Sequence, residues 1–327
     1  MILAGDIGGT KTNLAYFDVA KGELVLKESK SYPSQEFPSF NALLAKFQHE
    51  LPAKCSAAAF GIAGPVVNGH CQLTNLGWEL DAEELRKELG INAVELVNDL
   101  QATSYGTLHL AENERVILQD GRPQMHGSIA VIAAGTGLGE GALVWDGKHY
   151  RAIASEGGHA DFSPRSEKEA LLLQFLSKKF GHVSWERVLS GPGLSSTYEF
   201  LSQRSGSAPP QWLTDALAAG DPAAVVSQAG MSGKNATCVE ALDLFVSLYG
   251  SEAANLTLKF LGTGGVFVGG GIATKILAKM QSGLFVKGFQ SKGRFQSLLR
   301  GIPVSVVLND KIALVGAAHV AQVLTIQ

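Results

Sequence analysis

The chain writes one unit twice: an apolar run, a glycine turn and a second apolar run. Residues 3–18 read LAGDIGGTKTNLAYFD, and a shift of 128 positions lays their second half over GLGEGALVWD, pairing Gly9 with Gly137, Asp18 with Asp146 and Leu14–Phe17 with Ala142–Trp145. Identity between the two is slight, but two strand–turn–strand units in one chain suggest two related α/β lobes. Length agrees. At 327 residues and 46% hydrophobic, the chain exceeds the roughly 250–300 residues at which a single core stops growing.

Composition removes several classes of function. A formal charge of −3 supplies no basic surface for a phosphate backbone, so no nucleic-acid partner is expected. Cys55, Cys71 and Cys238 are an odd set without CxxC spacing, which fits neither a disulfide framework nor a zinc ribbon and points to a reducing, cytoplasmic setting. No apolar stretch reaches the roughly 20 residues of a membrane span, and Met1 runs into the first strand without a basic leader.

Short apolar runs at 2–5, 14–17, 57–62, 93–97, 129–134, 141–145 and 265–269 read as buried strands. Helices alternate with them. Asp81 with Glu84 and Ser166 with Glu169 fit the capping box, and Leu172, Phe175 and Leu176 form an apolar stripe after the second. SGSAPPQW at 205–212 reads as a connector, and LAAGDPAA at 217–224 as a helix–turn–helix joint. The apolar segment IALVGAAHVAQVL at 312–324 is expected to be a helix returning to the N-terminal lobe. That gives a small lobe of 1–108 with 305–327 and a large lobe of 109–304.

Glycine turns allow backbone N–H groups to approach an anion closely. In the first unit Gly8, Gly9 and Thr10 would offer amides and a hydroxyl to a phosphate, with Lys11 as a point charge. Asp6 would repel a bare phosphate there, so it calls for a cation between them, most simply hydrated Mg²⁺. The competing reading is a plain hairpin with a surface Asp. The second unit, AAGTGLGEG at 133–141, approaches GxGxxG, yet a strand follows it where a dinucleotide fingerprint opens a helix. A third cluster, VFVGGGIATKIL at 266–277, runs from strand through Gly269, Gly270 and Gly271 into a helix; it fits a nucleoside or simply a close-packed turn. No Walker A loop is present.

Polar residues gather at three further points. LVNDLQATSYG at 96–106 puts Asn98 and Asp99 where a strand ends and a helix begins, a place for a proton-accepting carboxylate or for an ordinary N-cap. SEGGHADFSPR at 155–165 sets Glu156 and His159 around two glycines, either to reach a polyol or to pair with each other. SWERVLSGPG at 184–193 is expected to open a helix at Ser184, where Glu186 would complement the dipole.

As a set, GDIGGTKTNLA, AFGIAGPV, LTNLGWELD, LVNDLQATSYG, GTGLGEGAL, SEGGHADFSPR, ERVLSGPGL and VGGGI resemble the sequence blocks of bacterial glucokinase, within the sugar kinase, Hsp70 and actin superfamily. The resemblance runs from residue 3 to beyond 315. It implies a two-lobed, ribonuclease H-like α/β fold with a cleft between the lobes, and a homodimer. It also implies phosphorylation of D-glucose at the 6-hydroxyl by ATP with Mg²⁺, the ion being held by Asp6 through water. Asp99 would be the base, and Asn98, Glu156, His159 and Glu186 would bind the other hydroxyls. The phosphate segments would be Gly5, Asp6, Ile7, Gly8, Gly9, Thr10 and Gly135, Thr136, Gly137, and the adenosine motif Gly269, Gly270, Gly271. Many relatives have Asn at the place of Lys11. The cysteine-rich zinc motif and N-terminal helix-turn-helix of the repressor-related branch are missing. A kinase for mannose or an N-acetylated amino sugar would use the same parts. A filament former or chaperone of the superfamily would lack Asn98, Asp99, Glu156 and His159 as a group.

Overall fold

The structure is a computed structural model and describes residues 1–206 and 208–325. Ser207, inside the expected connector, lies outside the described residues, as do positions 326 and 327. The chain divides into two compact units. The first comprises Met1–Glu112, Asp146–Ala154 and the chain from Asn309 onward; the second comprises Asn113–Trp145 and Ser155–Leu308. Residues 146–154 had been expected in the large lobe. They count with the first unit, where the Tyr105 hydroxyl accepts the N–H of Ala152 at 3.0 Å beside the short strand Tyr150–Ile153.

In the first unit the strands run in the order Glu23–Pro33, Lys11–Ala20, Ile2–Ile7, Ala57–Ile62, Ala93–Asn98. Ile2–Ile7 is antiparallel to Lys11–Ala20 and parallel to Ala57–Ile62, which is parallel to Ala93–Asn98. Alternation along AAAFGI explains the two faces of this sheet. Ala58, Phe60 and Ile62 join Phe40, Phe47 and Trp78 in one core. Ala57 and Ala59 point the other way, toward Ala102 and the C-terminal helix residues Leu314, Ala317, Ala318 and Ala321. Small residues let that helix, Ile312–Leu324, approach closely, and it does return to the N-terminal unit.

The second unit repeats the plan. Leu138–Trp145 is antiparallel to Ile129–Ala134, which is parallel to Gly265–Gly269, itself parallel to Val304–Val307; Arg115–Gln119 is antiparallel to the last. The helix Ala236–Phe260, 25 residues long, supplies Phe245 and Tyr249 to its core. Among the described residues no helix is long and apolar enough to cross a membrane.

All seven expected strands are present. Glu23–Pro33 was not anticipated because its residues are mostly exposed and carry no period-two apolar pattern; pairing with Lys11–Ala20 holds it. Val304–Val307 is a four-residue buried run, too short to stand out. Asp81 caps Ala82–Leu89, accepting the Glu84 N–H at 2.8 Å, which is the cap half of the expected box. At Ser166 only half of the box forms, since Glu169 turns its carboxylate to Arg165 instead.

Gly316 packs so closely on the helix Asp99–Gly106 that a Cβ would overlap the Ala102 carbonyl oxygen, which is backbone and has no rotamer to yield. Gly316→Ala is therefore expected to destabilise the protein by about 1–3 kcal/mol, measured as a drop in the urea unfolding midpoint at unchanged slope.

Candidate functional site

In the first unit the turn after Ile2–Ile7 is closed by the Gly8 N–H on the Lys11 carbonyl at 3.0 Å. Gly5 and Ile7 are buried in the sheet, and Gly5 is glycine for packing: a Cβ would sit 2.5 Å from Phe60 Cδ1. Of the expected phosphate segment, then, Gly8, Gly9 and Thr10 form the turn, and Gly5, Asp6 and Ile7 form the strand leading to it. Asp6 accepts a hydrogen bond from Asn13 Nδ2 at 3.1 Å, and Ser31 Oγ in turn donates to Asn13 Oδ1 at 2.6 Å. Burial raises the pKa of Asp6, with the Asn13 bond and Lys11 opposing it. Its negative charge is thus undercompensated by the protein.

Strand register places the next group. Ile7 is in line with Ile62, and Ile62 with Asn98, so the glycine turn and Asp99 emerge from the same end of one sheet, two strands or about 10 Å apart. Asn98 is the N-cap of Asp99–Gly106: its Oδ1 accepts the Leu100 N–H at 2.9 Å, and Gln101 Oε1 completes the box on the Asn98 N–H at 3.1 Å. Asn98 Nδ2 also donates to the Gly64 carbonyl at 3.1 Å. Half of this amide's hydrogen-bonding capacity is therefore taken up by the fold. Gly64, with Ala63 and Pro65, lines a cavity of about 610 Å³. Asp99, the first residue of the helix, accepts the Leu100 N–H at 2.8 Å.

In the second unit Glu186 joins two segments. Its carboxylate accepts the Leu138 N–H at 3.0 Å, directly after the turn Gly135-Thr136-Gly137, and its own N–H donates to the Gly158 carbonyl at 2.8 Å. A Cβ on Gly137 would lie 2.5 Å from Glu186 Oε2, so a larger residue there would push the Glu186 carboxylate off the Leu138 N–H. The expected helix start at Ser184 is corrected here. Ser184 bridges Asp161, and the helix is Gly191–Ser205, capped by Ser190 with Pro192 in its first turn. Glu186 therefore serves a loop, not a helix dipole. Thr136, Glu186 and Ser190 share a cavity of about 120 Å³.

Glu156 and His159 stand 3.9 Å apart with 74% and 60% of their side chains exposed, so they pair only loosely and face solvent. Gly269 ends its strand, Gly270 takes φ +83° where a Cβ would overlap the Ala134 carbonyl oxygen, and Gly271 opens on free space. Close packing thus accounts for Gly270 alone.

Three supporting residues had not been anticipated. Ser34, fully buried, donates its N–H to the Thr10 carbonyl at 3.0 Å and its hydroxyl to the Gly8 carbonyl at 2.7 Å, with the Thr12 hydroxyl 2.9 Å away. Asn13 holds Asp6, as above. Tyr249 places its hydroxyl between two turns of the second unit, accepting the Ala134 N–H at 2.9 Å and donating to the Gly269 carbonyl at 3.2 Å. Only Asn13 was findable from sequence, since a polar residue on a buried strand two positions after a lysine breaks the apolar pattern; Ser34 and Tyr249 act across 26 and 115 residues.

The family model for glucokinase matches residues 3–324. A glucokinase of Nostoc sp. is 42% identical, covering 97% of this chain and 98% of its own. The crystal structure of a glucokinase from an Antarctic psychrotroph superposes with a TM-score of 0.88 at 32% identity over 98% of each chain. A Streptomyces griseus glucokinase of the ROK family, solved with glucose and AMPPNP, shares the fold with a TM-score of 0.64 at 20% identity, covering 98% of this chain and 99% of its own.

Ser34→Ala strips the Gly8 carbonyl and the Thr12 hydroxyl of a buried partner. A stability loss of about 1–3 kcal/mol is expected, read by chemical denaturation; a loss under about 0.5 kcal/mol would show that the turn holds without it.

Proposed function

The chain belongs to the glucokinase family and catalyses ATP-dependent phosphorylation of glucose, and we propose that Asp99 is the base that takes the proton of the sugar 6-hydroxyl. One observation carries this reading: Asp99 and the Gly8–Thr10 turn leave the same end of one sheet, about 10 Å apart. That spacing suits a carboxylate facing a hydroxyl and a turn facing the phosphoryl group it attacks. In the same reading Asn98, Glu156, His159 and Glu186 bind the remaining hydroxyls. Gly8, Gly9 and Thr10 with Gly135, Thr136 and Gly137 hold the triphosphate, and Gly269–Gly271 accommodate the adenosine, with Gly271 leaving room for the ring. A homodimer belongs to the same proposal, and sedimentation measures it.

Mg²⁺ fits the first turn. Burial raises the pKa of Asp6 even with Asn13 and Lys11 opposing it, so this carboxylate would gain from a nearby cation. That suits an ion that keeps its waters and is held mainly by phosphate oxygens with one carboxylate. When bound, it neutralises charge on the phosphates. Asp6 would hold it, with Asn13 fixing the carboxylate.

Phosphoryl transfer leaves the protein mainly positioning and charge stabilisation. Asn98 and Gln101 close the cap and so fix the backbone from which Asp99 projects. Asp99 accepts the proton as the sugar oxygen attacks, a contribution worth about 10²–10⁴-fold. The turn amides receive the spreading negative charge.

An ADP-release assay across a panel of sugars tests substrate identity: glucose is expected to give the highest kcat/KM, and a higher value for mannose or an N-acetylated amino sugar would reassign it. Asp99→Asn should retain glucose KM within a few-fold while kcat falls at least about a hundredfold; near-normal turnover would remove Asp99 from the role. Asp6→Ala should raise the Mg·ATP requirement, and an unchanged metal dependence would exclude Asp6 from holding the ion.

A further inference from the structure

Behind the loop that carries Glu156 and His159 lies a pair of buried carboxyls that the reaction does not use. Glu140, on Leu138–Trp145, is 1% exposed, and Glu252, on Ala236–Phe260, is 0% exposed. Among the described residues no donor meets either oxygen of Glu140; the carboxyl of Glu252 lies within hydrogen-bonding reach and is its strongest charged neighbour. Two ionised carboxylates in such surroundings repel each other and lack solvation.

The loop covers this pair directly. A Cβ on Gly157 would overlap Glu140 Oε2, and one on Gly158 would overlap the Leu138 carbonyl oxygen. The two glycines of SEGGH thus let the loop lie flat on the strand and keep water from Glu140. On the other side the helix offers Tyr249, whose hydroxyl is spent on backbone groups, and Lys259, 3.6 Å from Glu252 Oε1. Asn255 donates to Glu252 Oε2 at 2.6 Å, and Lys292 faces Glu252 while donating to Ser251 and Asn255. These groups compensate Glu252 only in part, since burial still raises its pKa and holds Lys292 down to about 8, and among the described residues the one polar side chain that meets Glu140 is Glu252 itself.

We propose that Glu140 and Glu252 share one proton at neutral pH, and that this proton allows the Ser155–His159 loop to stay closed on the strand, making Glu140 a positioning residue for sugar binding. The proposal rests on the reading that Glu156 and His159 bind the sugar. Full ionisation would oblige Glu140 to gain water, and the loop is the layer that would lift to admit it. Burial first, then Glu252, pushes Glu140 up to about 8, with Lys259 opposing. Because the folded value lies above the ordinary 4.5, the stabilising effect of the proton is complete below that ordinary value and is lost as pH rises through about 8.

The test is the glucose KM of the full-length enzyme between pH 7 and 9.5, with Glu140→Gln as a mimic of the protonated form. The parent KM is expected to rise about fivefold or more while that of Glu140→Gln stays within about twofold, and KM for ATP should follow one course in both. An equal rise of glucose KM in the two proteins would overturn the proposal. If Glu140→Gln does not fold, Glu252→Gln is measured in the same way, with the same two outcomes. The thermal midpoint without sugar, followed from pH 5 to 9.5, reads the shared proton separately: the parent should lose stability as pH rises toward about 8 and level off above it, Glu140→Gln should lack that fall, and identical profiles would count against the pair. Glu156→Gln with unchanged glucose KM would instead overturn the sugar-binding reading on which the loop's role depends.

Discussion

The position of Asp99 depends on the absence of three Cβ atoms. The helix Asp99–Gly106 lies flush on the first sheet because Gly61 leaves room for Ala102, whose Cβ would otherwise be met at 2.8 Å. It lies flush on the terminal helix because Gly106 and Gly316 face the backbone of Ile312 and Ala102. Interiors are packed too densely to absorb an extra methyl against a carbonyl, so these contacts fix the helix to a fraction of an ångström. The carboxylate at its first residue inherits that precision, and a base misplaced by 1 Å loses much of its effect.

The two units reach the same arrangement by the same means, a hairpin whose first strand continues parallel to the next strand, with a glycine turn at its end. The glycines in and around these turns do two separate jobs. Gly5 and Gly270 are glycine because Phe60 and the Ala134 carbonyl occupy the space a side chain would need, and Gly137 leaves the Glu186 carboxylate its place. Gly135 and Gly271 meet nothing within 4 Å, and those are the positions where a ligand gains from a bare backbone. In the second unit Glu186 ties two segments together, since a single residue bonds the strand after the turn and the loop carrying His159.

Much of this was legible in the sequence for a physical reason. Strands buried on both faces produce short apolar runs, and turns that approach other backbone closely demand glycine, so both leave local marks. The duplicated unit, Asp6 before its turn and Asp99 at a strand end were visible in that way. Ser34 and Tyr249 left no local mark, because each is an ordinary polar residue whose partners come from distant strands. The helix start at Ser184 was misplaced because a serine ahead of a mixed polar and apolar run reads as a cap, whereas Ser184 bridges Asp161 and the helix opens behind Ser190. Glu140 looked like one more residue in a glycine-rich strand, and its meaning comes from Glu252, on a helix more than a hundred residues later.

The central claim is that the Asp99 carboxylate addresses the attacking hydroxyl of the sugar. A crystal structure with glucose and Mg·AMPPNP bound measures this directly. The account predicts an Asp99 carboxylate oxygen about 2.6–3.2 Å from the 6-oxygen; a carboxylate turned away from that oxygen, with another residue in its place, would contradict it.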